Sequence, residues 1–200
     1  MVGIIDYGVG NLFSLQSSFK AIDQEAFVSG DVVELAKADR LLLPGVGAFE
    51  DAAKKLRDSG LDAFVWQQAA AGKPLLGICL GMQMLFEKSF EYGEHEGLGL
   101  LKGQVVPMAG KLPDDLKIPH MGWNSLSVKQ GKLLADVDGQ YVYFVHSFYA
   151  QGCEASLAAV TEYGIPITAA VERGNIFGCQ FHPEKSGNVG LSILRKFCEI

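Results

Sequence analysis

Three short, unbroken apolar runs constrain this chain most. "VGIID" (Val2 to Asp6) passes through "YGVGN" into the helix-like stretch "LFSLQSSFKAI". "RLLLP" (Arg40 to Pro44) passes through "GVG" into "AFEDAAKKLRDSG", and "KPLLGI" (Lys73 to Ile78) is a third such run. A strand with one wet face would alternate apolar and polar residues, so a continuous run signals a strand covered on both faces. Runs that each lead through glycine into a helix predict parallel βα units, with a doubly wound α/β sheet as their arrangement. After about Gly97 the texture changes. "GQVVPM", "YVYFVHSFYA", "SLAAVTEYG", "ITAAVERG" and "IFGCQFHP" read as strands between turn-forming residues, so antiparallel pairs are expected there. "GLSILRKFCEI" reads as a closing helix. No repeat, low-complexity tract or linker interrupts the 200 residues, and residues 1–200 are expected to form a single domain.

The charge balance excludes several classes of function. A net charge of −6 without a Lys/Arg-rich block argues against a nucleic-acid surface. No apolar run approaches the roughly 20 residues of a membrane span. The start "MVGIIDYG" lacks the basic and long apolar segments of a signal peptide, so the expected location is the cytoplasm. Cys79, Cys153, Cys179 and Cys198 show no C-x-x-C pairing. That spacing predicts free thiols and no metal site, and no cofactor is expected. Cys153, Cys179 and Cys198 read as small buried hydrophobes.

Cys79 is different. It stands two residues from a glycine on each side, in "GICLG", where a buried strand gives way to a helix. G-x-C-x-G at such a junction has the form of a nucleophile elbow, whose sharp, strained turn needs small flanking residues. The first N–H groups of the following helix would face the sulfur and steady negative charge on it. The N–H of Leu80 would also be available to an oxyanion on the attacked carbonyl. A structural cysteine between two helix-packing glycines has the same appearance, so the motif demands a base elsewhere.

Four histidines are available. His95, in "EYGEHEGLG", reads as a solvated loop residue, while His120 ("PHMGW") and His146 ("YFVHSFY") sit in apolar settings that could face a partner or a pocket. His182, in "QFHPEKSG", follows the apolar strand "IFGCQF". Pro183 bars a regular helix and holds His182 and Glu184 on one tight turn. A carboxylate two residues on can accept one ring N–H, fix the tautomer and leave the other nitrogen for the thiol proton. Cys79, His182 and Glu184 then make an acyl-transfer triad.

"GICLGMQ" with a distal "QFHPEKS" resembles the class I, or triad, glutamine amidotransferases. "IDYGVGNL", "LPGVGAF", "PHMGWN" and "YFVHSFYA" narrow the resemblance to the glutaminase subunits of imidazole glycerol phosphate synthase, which serve histidine biosynthesis. The resemblance implies a flavodoxin-like mixed sheet flanked by helices, and glutamine as substrate. It implies that Cys79 attacks the carboxamide carbon to form a glutamyl thioester. His182, oriented by Glu184, would protonate the departing ammonia and then activate water. It assigns the oxyanion hole to Val46, Gly47 and Leu80, and glutamine binding to Gly45, Gly47, Gln83, His146, Ser147 and Phe148. The glycines of that loop would accept the unusual backbone angles needed to turn an N–H toward the oxyanion. Phe148 lacks the phenolic hydroxyl that some relatives carry, so only its backbone is expected to touch ligand.

The resemblance also implies a heterodimer with a (β/α)₈ cyclase that receives the ammonia. Pro119, His120, Met121, Gly122, Trp123, Asn124 and Lys185 would lie at that interface, where Met and Trp suit an anchored contact. "DYGVGN" lacks the third glycine and later acid of a dinucleotide loop, so Asp6 to Asn11 is expected instead to shape the sheet edge near the pocket. Three competing readings remain. An amidotransferase for another acceptor, such as chorismate, would usually carry a different oxyanion loop. A catalytically silent module would not need an intact triad. A cysteine hydrolase of the α/β-hydrolase type would normally place its acid before the histidine.

Overall fold

The computed structural model describes all 200 residues, Met1–Ile200. The first half runs β1 (Val2–Ile5), α1 (Leu12–Ala21), β2 (Ala26–Ser29), α2 (Val32–Leu35), β3 (Arg40–Leu43), α3 (Phe49–Asp58), α4 (Leu61–Ala70), β4 (Leu75–Ile78) and α5 (Leu80–Gln83). Six strands follow: β5 (Lys88–Ser89), β6 (His95–Glu96), β7 (Gln104–Pro107), β8 (His120–Ser125), β9 (Ser127–Val128) and β10 (Tyr141–His146). The chain ends with β11 (Phe148–Gln151), β12 (Leu157–Glu162), β13 (Pro166–Arg173), β14 (Ile176–Cys179) and α6 (Gly187–Glu199).

The main sheet has the order β2-β1-β3-β4-β14-β13-β12-β9. β2, β1, β3, β4 and β14 are parallel, while β13, β12 and β9 extend the sheet antiparallel. The three apolar runs named above form β1, β3 and β4, all inner strands, and their period of two feeds two cores. Val2, Ile4, Leu42 and Leu76 pack with Leu15 and Phe19 of α1 and Leu194 and Phe197 of α6. Ile5, Leu41, Leu43 and Leu75 pack with Phe49 and Leu56 of α3 and Phe64 and Val65 of α4. Helices on both faces explain the absence of polar alternation in these strands.

Three expectations need correction. β1 lies between β2 and β3, so Asp6 to Asn11 follows an inner strand and not the sheet edge, which β2 forms. The helix after Cys79 is one turn long, and Leu85 and Phe86 beyond it turn into the core. A single turn presents free N–H groups but cannot sum a macrodipole as a long helix does. The run "YVYFVHSFYA" is two strands broken at Ser147. β10 pairs antiparallel with β8, whereas β11 pairs with β7 in a separate four-stranded sheet with β5 and β6. A composition rich in β-formers does not reveal a change of partner in mid-run.

Candidate active site

The end of β4 brings the thiol into place. Cys79 has φ 55° and ψ −112°, a left-handed setting that a side chain tolerates only when the surroundings enforce it. The flanking glycines explain how the turn closes. A Cβ on Gly77 would lie 2.6 Å from the Gly81 carbonyl oxygen, and one on Gly81 would lie 2.0 Å from that of Leu43. Neither contact is sterically possible, so α5 rests directly on the β3 and β4 backbones. Gly45 serves the same packing: its Cβ would meet the Gly81 nitrogen at 2.6 Å. Its role is therefore space rather than unusual angles, whereas Gly47 does adopt φ +90°.

β14 runs parallel beside β4, with Cys179 opposite Ile78, and so delivers the turn after it to the same end of the sheet. There His182 Nδ1 lies 2.8 Å from Glu184 Oε1, and both side chains are buried. Burial acts to lower the His182 pKa, but the Cys79 sulfur within hydrogen-bonding reach and the Glu184 carboxylate outweigh it and raise it to about 9. Glu184 Oε2 is buried without a partner, so the imidazole is the group that answers this carboxylate. The turn is held by Ser186, whose Oγ donates to the His182 carbonyl at 2.7 Å and accepts the Tyr143 N–H at 3.0 Å.

His146 and His120 have the opposite electrostatics. The Phe148 carbonyl can only accept, so His146 Nδ1 donates to it at 2.8 Å, which leaves Nε2 to face His120 Nδ1 at 3.1 Å. His120 Nε2 in turn meets the Asn124 amide nitrogen at 3.3 Å. Burial pushes the His120 pKa down to about 4 and the His146 pKa to about 3. Both rings are neutral near pH 7 with every nitrogen occupied, so neither is free to take a thiol proton. Of the imidazoles at the cleft, His182 is the one within hydrogen-bonding reach of the Cys79 sulfur.

An open cleft of about 350 Å³ lies over these groups, walled by Val46, Gly47, Leu80, Gln83, Ser147 and Phe148, with Pro119 and Lys185 at its rim. The N–H groups of Val46, Gly47 and Leu80 make no hydrogen bond to the protein backbone. Two expected ligand groups are already engaged: Gln83 Nε2 donates to the Phe148 carbonyl at 3.1 Å and to Gln180 Oε1 at 3.0 Å. Tyr7, from the loop after β1, donates its hydroxyl to the Pro44 carbonyl at 2.7 Å and so ties that loop to the glycine loop. Burial, then the nearby Cys79, pushes the phenol pKa up.

Within β8 the pleat divides the "PHMGWN" residues. Met121 and Trp123 are 60% and 55% exposed, while His120 is buried, its ring stacked on Phe144 and Tyr163. His120 is therefore corrected from an interface side chain to an internal one, because alternate residues of a strand face opposite ways. Lys185 is exposed, with Nζ 5.9 Å from the Tyr143 ring centre.

Sequence reasoning missed two residues here. Gln180 is fully buried, with Nε2 3.7 Å from the Cys79 sulfur. Its place two residues before His182, beside the strand, was the available signal. Glu91 lines the cleft and caps α3 from outside, accepting the Phe49 N–H at 2.6 Å, and burial raises its carboxyl above the ordinary value. Nothing in "FEYGEHEG" marked it. His95, read as solvated, is largely buried, with Nε2 lacking a partner.

A family model described as glutamine amidotransferase class-I matches residues 4–200. The imidazole glycerol phosphate synthase subunit HisH of Bacillus licheniformis is 51% identical over 201 residues, covering 98% of this chain and 95% of that protein. The subunit of the same name from Caldanaerobacter subterraneus subsp. tengcongensis is also 51% identical, over 203 residues, covering 100% and 98%. A crystal structure of a glutamine amidotransferase superposes with a TM-score of 0.78 at 21% identity, covering 99% of this chain and 97% of that one, a likeness of fold. The chain belongs to the class-I glutamine amidotransferases, and within them to the family of the imidazole glycerol phosphate synthase subunit HisH.

Proposed function

We propose that residues 1–200 act as one amidotransferase domain, the glutaminase subunit of an imidazole glycerol phosphate synthase, hydrolysing glutamine to glutamate and ammonia for histidine biosynthesis. The observation that carries the mechanism is a strained-elbow thiol beside an imidazole whose far nitrogen is held at 2.8 Å by a buried carboxylate. His182 Nε2 takes the Cys79 proton, and the raised His182 pKa favours the imidazolium that results. The sulfur attacks the side-chain carboxamide carbon of glutamine, and its C=O electrons move onto oxygen. The N–H groups of Leu80 and of the Val46–Gly47 loop are the donors for that oxyanion. Collapse breaks the C–N bond as His182 returns its proton to the leaving nitrogen, releasing ammonia and a thioester. Water then attacks the thioester with His182 as base, and the Cys79 thiolate leaves. Glu184 keeps Nδ1 protonated throughout. Glu91, at the wall of the cleft, suits the α-ammonium of the substrate.

Ammonia needs an acceptor protected from water, so a partner subunit is part of this reading, with a (β/α)₈ cyclase as its form. Exposed Met121 and Trp123, beside Lys185 at the cleft rim, suit the central anchors of such an interface. No helix of the chain is long and apolar enough to cross a membrane. The test is glutamate release by the purified chain with and without the liganded cyclase. Strong stimulation by the partner supports the reading. Turnover that ignores the partner points to another acceptor, and full turnover by folded Cys79→Ala overturns the mechanism.

A further inference from the structure

One carbonyl sets the direction of a hydrogen-bond chain that ends on the nucleophile. The Phe148 oxygen can only accept, so the Gln83 amide must turn its nitrogen toward it, at 3.1 Å. The second Gln83 N–H then points to Gln180 Oε1 at 3.0 Å. With its oxygen committed, Gln180 has its amide nitrogen facing the Cys79 sulfur at 3.7 Å. Gln180 and Gln83 are 0% and 5% exposed, so water does not compete for these groups. The orientation of the Gln180 amide is thus imposed from two residues away.

We propose that Gln180 is a further catalytic residue, an N–H donor to the Cys79 sulfur whose orientation is imposed by Gln83 and the Phe148 carbonyl. The inference rests on Cys79 being the nucleophile. An amide does not titrate, so the donor is present at every working pH. It interacts most strongly with a thiolate and least with the neutral sulfur of a thioester. It therefore acts when the thiolate forms and again when water displaces it from the acyl group. The titratable groups around that sulfur are His182 and Glu184 after β14, Tyr7 after β1 and His146 at the end of β10, with Glu91 and Lys185 farther out at the cleft wall. Tyr7 and His146 commit their donors to the Pro44 and Phe148 carbonyls, and each of the others changes charge as it titrates.

The test is the pH profile of Cys79 alkylation by iodoacetamide on the full chain, followed on the Cys79 peptide by mass spectrometry alongside glutaminase turnover. Gln180→Leu removes the donor. Gln180→Met keeps the length of the side chain but offers no N–H and brings no charge. Gln83→Leu leaves Gln180 in place but releases its orientation. Each variant is expected to move the alkylation midpoint upward by about one pH unit, about a tenfold rise in the proton affinity of the thiol. For Gln180→Leu, kcat should fall more than KM changes. A role in packing alone predicts that Gln180→Met and Gln83→Leu keep the parent midpoint, and that result overturns the proposal even if Gln180→Leu fails to fold. If alkylating Cys79 in the parent leaves glutaminase activity intact, the nucleophile reading itself fails. If it inactivates the parent and the variants do not shift, only the role of Gln180 fails.

Discussion

Two buried histidine sites face the same cleft, one on the turn after β14 and one on the β8–β10 ribbon, and burial has opposite outcomes in them. At His146 and His120 it meets no opposing charge, and the pKa values fall to about 3 and about 4. At His182 the same penalty is outweighed by a sulfur and a carboxylate, and the value climbs to about 9. Desolvation alone makes a histidine a neutral hydrogen-bonding strut. Only a buried counter-charge makes it a base that holds its proton. Proximity to the cleft therefore does not assign a catalytic role; the partner of each ring nitrogen does.

The comparison breaks most sharply at Glu184. Glu184→Gln removes one of the two groups that hold the His182 proton while keeping the shape. The His182 pKa should therefore fall part of the way toward that of His146, with the Cys79 sulfur still opposing the fall. Glutaminase kcat is expected to fall by roughly 10²- to 10⁴-fold, and the alkaline rise of the Cys79 alkylation profile should shift. Near-parental turnover would mean that the carboxylate only orients the turn.

A second, smaller effect lies in stability against pH. His182, raised from 6.5 to about 9, contributes stability fully below about pH 6.5 and loses it as pH climbs through 9. His146 and His120, lowered to about 3 and about 4, contribute fully above about pH 6.5 and lose it as pH falls toward those values. A tenfold difference in proton affinity between the folded and unfolded chain corresponds to about 1.4 kcal/mol. Urea unfolding between pH 4 and 10 should therefore show the alkaline limb flattened in Glu184→Gln. His120→Phe, which keeps an aromatic ring between Phe144 and Tyr163, should flatten the acid limb. Limbs unchanged from the parent would remove the electrostatic contrast between the two sites.

The smallest effect separates the two faces of one strand. Trp123→Ala, on the exposed face of β8, is expected to change stability by no more than about 0.5 kcal/mol while weakening partner association by about 2 kcal/mol. His120→Ala, on the buried face, should cost about 2 kcal/mol of stability, because it strands the His146 ring nitrogen and leaves a cavity. Calorimetry on the chain and titration with the partner measure the two separately. Equal losses of stability would contradict the division of that strand.

Much of the fold was legible because its signals are local. Continuous apolar runs ending in glycine marked β1, β3 and β4, since a strand covered on both faces has no polar position to show. G-x-C-x-G marked the elbow, since no side chain fits where Gly81 meets the Leu43 carbonyl. His182 and Glu184 were legible as a pair, because two residues of turn bring them within a hydrogen bond. The depth of the strand before Asp6, the break at Ser147, the inward turn of His120 and the positions of Gln180 and Glu91 were not legible. Each depends on which strand lies beside which. The same β-forming residues suit an inner or an outer strand, and a one-residue change of register exchanges the faces. By itself the sequence determined the chemical groups and their local geometry: a thiol on a strained turn and an imidazole backed by a carboxylate. Only the tertiary structure decided which groups meet the sulfur, because parallel pairing of β4 with β14 joins residues about a hundred positions apart, and no short-range pattern records such a contact.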